Sequence, residues 1–548
     1  MSSALHRHRL LITDWLVLIG CFIFSYWLMN HTFQYHNQSF VIASKLWSDF
    51  GAHIPLIRSF SFGHNWPPEY PTFPGEPIRY HYLFYLAVAG LEKIGVNLGL
   101  ALNLLSAAGL TLLLFMIFKI TRLLFSPFLV GLLALVLFLF NGSLSFLEFF
   151  TKFPLSSHSL SDIVSAIHFV SFGPWDGKWV SAFWNLNIYT NQRHLGLSFG
   201  LALLALYPFV KVVAKRGKPT LVNVILTAVC LLVLPLLHQA GFIMVLIVGG
   251  MLALLDIRQW RLHLPLVFTL LACSLPGLII TQSMRTGLPA VWQIGFLAKN
   301  PEPLTILTYW LYNLGAYLIL IPIMLIVIKP PQRRFLAAFF PLFLLANVVR
   351  LSPDMINNHK LINFFMIGVV IITSGFLAWL WRRHFLGKLL APLLFVLLIF
   401  SGIIDFFPIY NDNLGELPDV GRRPEALWIT AHTDPASVFI TTTYFYNPAS
   451  LAGRKTFVDY GYFNWSMGYN DQPRRQLVQA IFASDTPIST ACSLLYANRL
   501  NYLLIAPGKG EVSDEDPHQS PIVKDTLPVY TSPDGYTIYD VNHSCSQS

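Results

Sequence analysis

The chain has 548 residues, 55% of them hydrophobic and only 11% charged, with a mean hydropathy of +0.57. A soluble globular domain carries about 25% charge, so this composition excludes one and describes a membrane protein. The formal charge of +9 does not indicate nucleic acid, because the basic residues punctuate apolar runs in short clusters, as topology signals do.

The first apolar run, Leu10–Met29, follows Arg7 and Arg9, lacks a small-residue cleavage site and is long for a signal peptide. It predicts a retained span. A long loop follows, Asn30 to about Arg79, dense in aromatic, Pro, His and acidic residues. Near its start, Trp47-Ser48-Asp49-Phe50-Gly51-Ala52-His53 sets a carboxylate one helical turn from an imidazole. Such a pair suits a general base or a metal ligand, or else a solvated loop whose Asp caps a short helix.

Ten more apolar runs follow: Gly95–Phe118, Pro127–Phe140, Leu195–Val213, Leu221–Leu237, Gly241–Leu255, Leu264–Gln282, Leu304–Ile328, Phe335–Val349, Leu361–Trp381 and Leu389–Phe407. About eleven transmembrane helices are expected, since a crossing helix needs about 17–25 residues. Alternate loops hold Arg7 and Arg9; Lys119 and Arg122; Lys211, Lys215, Arg216 and Lys218; Arg258 and Arg261; Lys329, Arg333 and Arg334; Arg382, Arg383 and Lys388. These sixteen residues share one side, which the positive-inside rule makes cytoplasmic. The N-terminus is then cytoplasmic and the C-terminus extracytoplasmic. The polar constellations Trp47–Tyr82, Glu148–His194, His238-Gln239, Arg285–Pro303 and Arg350–Lys360 fall on the opposite side. That asymmetry fits an enzyme of the outer membrane face better than a transporter, which binds near the midplane between related halves.

Beyond Phe407 the hydropathy drops. Two domains are expected, 1–407 in the membrane and 408–548 as an extracytoplasmic soluble α/β domain. In the second, Pro424–His432 and Pro473–Ala483 read as helices, Val438–Thr443 and Tyr502–Ile505 as strands. Pro528–Tyr530 and Tyr536–Val541 flank a turn signal and read as a terminal hairpin. Cys21, Cys230 and Cys273 lie in apolar runs, whereas Cys492 and Cys545 are the cysteines of the outer domain, where oxidation is permitted. A Cys492–Cys545 disulfide is expected. No CxxC spacing occurs, so a cysteine zinc site is not indicated. Pro507-Gly508-Lys509-Gly510 lacks the spacing of a phosphate-binding loop.

With this layout the chain resembles the GT-C superfamily of polytopic glycosyltransferases, over roughly residues 1–407. Carrying the resemblance are Trp47-Ser48-Asp49-Phe50 with His53, Asn65-Trp66-Pro67-Pro68-Glu69, Tyr80-His81-Tyr82 and Asn357-Asn358-His359-Lys360-Leu361-Ile362-Asn363. In the tail, Gly453-Arg454-Lys455 and Tyr460-Gly461-Tyr462-Phe463-Asn464-Trp465 add to it. Protein O-mannosyltransferases and lipid A aminoarabinose transferases are members. The resemblance implies a polyprenyl-phosphate sugar as donor and an acidic catalytic residue in the first outer loop, where Asp49 stands. Protein O-mannosyltransferases carry two adjacent acidic residues there, whereas Asp49 is followed by Phe50, which counts against a protein Ser or Thr acceptor.

The expected activity is an inverting hexosyltransferase, mannosyltransferase-like, with a lipid-linked sugar donor and a glycan, lipid or protein acceptor. Its other partners are membrane lipids, with no nucleic acid; a divalent metal is left open, because no motif indicates one. Asp49 is the candidate base, and His53 either orients it, touches phosphate or is structural. Lys360 and His359, with Arg350 and Arg193 in support, are candidates for the donor phosphate, against a snorkelling alternative. His194 is a secondary candidate beside Arg193, and His238, at a tight outer turn, is read as satisfying backbone groups. Glu69, Glu76, His81, Asp162 and Asp176 are candidates for an acceptor cleft. Trp66, Tyr70, Tyr80 and Tyr82 suit sugar stacking or an interfacial aromatic belt. Two other classes stay open, a flippase for lipid-linked glycans and a non-catalytic envelope-assembly protein.

Overall fold

A computed structural model describes residues 2–171, 178, 180–284 and 290–546. Asp176 and Arg285 lie outside the described residues, as do the side chains of Arg7 and Arg9. The chain divides into two compact units: residues 1–32, 103–282 and 289–413, and residues 33–102, 283–288 and 414–548.

The first unit is helical. Each of the eleven apolar runs lies on helix, from Ser2–Thr32 through Phe385–Tyr410. Among the described residues six helices are long and apolar enough to cross a membrane: Ile12–Thr32, Leu98–Phe125, Leu195–Val213, Ile257–Met284, Met355–Trp381 and Phe385–Tyr410. Phe128–Leu139, Leu221–Leu237 and Gln239–Leu255 are apolar but shorter. The run Leu304–Ile328, expected as one span, is instead two helices, Pro303–Leu314 and Ala316–Val327, bent by 92°. The bend sits at Gly315, whose φ of +55° belongs to the left-handed region that glycine enters without a Cβ penalty. The Gly315 N–H still reaches Leu311 O, and Tyr312 O accepts from Leu144 N, so backbone groups freed at the break are partnered.

Basic loops of this unit meet at one end. Lys119 and Arg122 pair with Asp14 at 2.6 and 2.9 Å, Arg216 donates to Ser126, and Gln332 donates to Leu124 O. Arg334 and His263 share buried Asp256. Helix His359–Trp381 runs through the middle of the unit and is buried over nearly all its length.

The second unit corrects the expectation of a loop over Asn30–Arg79. Phe33–His36 and Ser39–Ala43 form a hairpin turned by Asn37 and Gln38, both with positive φ, as the strand-compatible two-residue turn requires. Leu414–Pro418 adds a third antiparallel strand, pairing Ser39 with Pro418 and Ala43 with Leu414. Helices Trp47–Ser61 and Leu83–Lys93 follow the hairpin, the second unexpected from the sequence. Arg58 is buried between Asp419 at 2.7 Å and Glu92 at 3.2 Å, and Tyr35 Oη donates to Asp419.

The rest of the unit is α/β. A five-stranded sheet has the order Lys455–Thr456, Val438–Thr441, Tyr502–Ile505, Thr537–Asp540, Tyr530–Thr531. Val438–Thr441 is parallel to both neighbours, and Thr537–Asp540 is antiparallel to both of its own. Side chains alternate with the pleat. Ile440, Leu503 and Tyr539 join Val478, Phe482 and Leu495 on one face, while Phe439, Leu504 and Ile538 pack with Ile429 on the other. Cys492 and Cys545 are joined by a disulfide, with Cα atoms 5.7 Å apart.

Candidate functional site

In the second unit, Asp49 stands in the first turn of helix Trp47–Ser61, half-buried. Its charge lies at the positive end of the helix dipole, which favours the ionised form. His53, one turn on, is buried with its ring 4.9 Å from Tyr85 and 5.6 Å from Phe50. Burial, with the nearby Asp49 charge adding to it, holds the phenols of Tyr80, Tyr85 and Tyr446 well above the usual tyrosine range. Asp49 thus stands half-buried near the phenols of Tyr80, Tyr85 and Tyr446.

Residues near the C-terminus hold this corner. Tyr446 Oη donates to Trp47 O, and its ring meets Trp47 edge-on at 4.9 Å. Phe445 lies on Gly51, where a Cβ would come within 2.4 Å of the ring. Phe445 and Tyr446 both have positive φ, an uncommon conformation for bulky side chains, maintained only where surroundings impose it. One such support is Asp459, whose buried carboxyl accepts the N–H groups of Phe445 and Tyr460. Burial raises its pKa to about 7.

Other candidates of this unit are placed differently from one another. Glu69 pairs with Lys455 at 2.8 Å and accepts from Gly75 N. Burial alone would raise its carboxyl, but Lys455 and the Gly75 N–H hold it below the usual glutamate range. Glu76 pairs with Arg79. His81 is buried with its ring 3.6 Å from that of Tyr80. Tyr82 is half-buried near Phe60, and Trp66 is 67% exposed.

In the first unit, His359 and Lys360 begin helix His359–Trp381, and both are buried. Lys360 Nζ lies 3.4 Å from Asn357 Oδ1, and His359 Nδ1 lies 3.2 Å from Asn363 Nδ2. A cation at a helix N-terminus opposes the dipole, and burying it deepens the cost. An anion there would receive the ammonium and the helix end together. His238 belongs to the same neighbourhood: burial, and then Lys360, depress its imidazole. Its Nδ1 accepts from Gly241 N and lies 2.7 Å from Ser198 Oγ, while its ring is 5.4 Å from that of His194.

Arg193 and Arg350 part company. The buried Arg193 guanidinium donates to Asn103 Oδ1, Thr32 Oγ1 and Met29 O, closing the C-terminal end of helix Ser2–Thr32. Arg350 is half-buried on a two-residue strand paired with Val291 and Trp292. Asp162 stands on the exposed helix Ser159–Val164. Sequence reasoning missed Tyr85, Phe445, Tyr446 and Asp459, and also Asp405, buried in helix Phe385–Tyr410. Only Asp405 carried a signal, as an acidic residue inside an apolar run.

No protein-family model and no curated protein matches the sequence. Among solved structures, the chain is similar to ArnT from Cupriavidus metallidurans in the apo state. Identity is 12% over 97% of this chain and 99% of that one, with a TM-score of 0.50. It is also similar to ArnT from the same organism bound to undecaprenyl phosphate, at 13% identity, 97% and 98% coverage and a TM-score of 0.45. A third likeness is to the archaeal oligosaccharyltransferase AglB from Archaeoglobus fulgidus in complex with an inhibitory peptide and a dolichol-phosphate. Identity there is 13% over 90% of this chain and 69% of that one, with a TM-score of 0.42. The apo ArnT likeness establishes a shared fold over nearly the whole of both chains, mostly helical with several apolar spans and a C-terminal sheet region.

Proposed function

We propose that this chain is an inverting membrane glycosyltransferase, moving a hexosyl group from a polyprenyl-phosphate donor to a hydroxyl of a glycan, lipid or protein acceptor. The observation that carries this reading is the placement of Asp49, an acidic residue in a helix's first turn among neutral phenols, on a chain of this fold. Asp49 takes the proton of the acceptor hydroxyl as its oxygen bonds to the anomeric carbon. The bond from that carbon to the phosphate oxygen breaks, and the lipid phosphate leaves with the electron pair. Lys360 and His359 receive its charge, which offsets the cost of a buried cation at a helix start. One displacement with one base inverts the anomeric centre, so no second carboxylate is needed.

In this reading, residues 1–407 form the catalytic membrane domain and 408–548 an outer domain that supports the Asp49 helix. The end that gathers Lys119, Arg122, Arg216 and Arg334 faces the cytoplasm. Reporter fusions after Gly217 are expected to report cytoplasm and fusions after Asn300 the outside; the reverse would overturn the orientation.

The catalytic reading is tested by mass spectrometry of envelope glycans in cells lacking the protein, restored with wild type or with Asp49→Asn. The variant keeps the shape and removes the proton acceptor, a loss of about 10²–10⁴-fold in rate. A product formed at the wild-type rate by a normally inserted variant would overturn the assignment.

A further inference from the structure

Between helices Phe128–Leu139 and Leu195–Val213 the first unit carries two short helices, Ser145–Lys152 and Ser159–Val164, that the reaction proposed above does not use. Their inner side is packed on the second half of helix Phe385–Tyr410. Phe149 and Ile163 are buried with Ile404, and the rings of Phe146 and Phe150 lie 5.5 and 6.1 Å from that of Phe400. Asn411, which caps the same helix, donates to Val164 O at 2.7 Å and to Ala166 O at 3.0 Å.

The outer side is apolar as well. Leu147, Phe153, Leu155, Leu160 and Val164 are all exposed, Leu155 by 77% and Leu160 by 74%. Leu160 and Val164, four residues apart, share one side of their helix. A single exposed leucine is ordinary on a surface in water, but a run this dense marks a surface made for an apolar partner.

Depth identifies that partner. Helix Phe385–Tyr410 is long and apolar enough to cross a membrane, begins beside Arg382, Arg383 and Lys388, and exposes Leu386, Leu389, Leu393 and Val396 along its side. At its other end Tyr410 stacks on Trp27 and His31 of helix Ser2–Thr32. Trp and Tyr gather where headgroups meet acyl chains, so this cluster marks that level. The two short helices are fastened there, at Asn411. Exposed apolar side chains at that depth meet acyl chains, while Lys152, His158 and Asp162 of the same segment stay among the headgroups. We propose that residues 147–164 are an interfacial anchor, lying in the boundary between headgroups and acyl chains and continuing the lipid-facing side of Phe385–Tyr410. This goes beyond the reaction assigned to Asp49 and stands on the apolar spans of the first unit alone.

The test uses purified full-length wild type in vesicles of phosphatidylcholine and phosphatidylglycerol that contain a phospholipid with a photoactivatable diazirine high on its acyl chain. After irradiation and digestion, mass spectrometry is expected to find lipid adducts on peptides covering 147–164 and on Phe385–Tyr410. Adducts on Phe385–Tyr410 with none on 147–164 would overturn the anchor, and adducts on neither would overturn the span along with it. A second measurement separates acyl chains from a protein cover. With Cys21, Cys230 and Cys273 replaced by Ala, an environment-sensitive dye on Leu155→Cys or Leu160→Cys should emit towards the blue and be quenched by brominated lipid, not by aqueous iodide. Full quenching by iodide would put this surface in water, and resistance to both quenchers would put a second copy or another protein on it; either result counts against the anchor. The photolabelling needs no substitution, so a poorly folded dye variant does not blunt it.

Discussion

Asp49 and Lys360 both stand in the first turn of a helix, yet their surroundings are assembled by opposite means. Lys360 has local support: Asn357 Oδ1, three residues back, lies 3.4 Å from its ammonium, and Asn363 holds the adjacent His359. Asp49 depends on distant chain. Tyr446, bonded to Trp47 O, is 399 residues away in sequence, and Asp459 props the Phe445 backbone from farther still. The helix dipole separates them again, stabilising the Asp49 carboxylate and opposing the Lys360 ammonium. The proposed base must stay ready when no substrate is present, whereas the proposed phosphate site can wait, strained, for the anion that relieves it.

Lys360→Met breaks the local half. It keeps the methylene stem and removes the charge, so the fold should hold and melting should stay near wild type. Affinity for a polyprenyl-phosphate sugar should fall about 10- to 100-fold, the worth of a charge-assisted hydrogen bond. Unchanged affinity would mean that the ammonium only snorkels.

A smaller effect sharpens the distant half. The Asp459 carboxyl titrates near 7 in the folded protein against an ordinary 3.8, so the folded state binds its proton more tightly than the unfolded state. Its contribution to stability is complete below the unfolded value and declines as pH rises towards 7. Asp459→Asn should flatten the wild-type loss of stability between pH 4 and 7, by on the order of 1–3 kcal/mol. Bare polyprenyl-phosphate binding should be untouched. Superimposable pH–melting profiles of the two proteins would remove Asp459 from this role.

The length of the apolar runs made the helical unit legible. Eleven apolar runs were enough to place its helices, because a bilayer-length hydrophobic stretch has few alternatives to helix. The spacing of Asp49 and His53 also read correctly as one helical turn. The bend at Gly315 did not, since glycine is common in membrane helices and a single one gives no warning. The hairpin escaped because its turn, Asn37-Gln38, lacks the glycine that marks most two-residue turns. Its third strand, Leu414–Pro418, lies beyond ten further apolar runs, where no local pattern can announce a pairing. Tyr446, Phe445 and Asp459 were invisible at Asp49 for the same reason. Asp405 was readable, as a lone acid within a 26-residue helix, and was overlooked among its apolar neighbours.

The pairing of Ser39–Ala43 with Leu414–Pro418 also orders events during synthesis. The two strands are separated by about 370 residues, so at roughly 5–20 residues per second the hairpin waits about 20–75 s for its partner. Until then Ser39–Ala43 is a bare sheet edge, and the support around Asp49 has not yet been translated. The nascent chain therefore carries Asp49 early but lacks the residues that surround it in the folded protein. A truncation before Leu414 is expected to leave the Asp49 helix without its contacts to Phe445 and Tyr446.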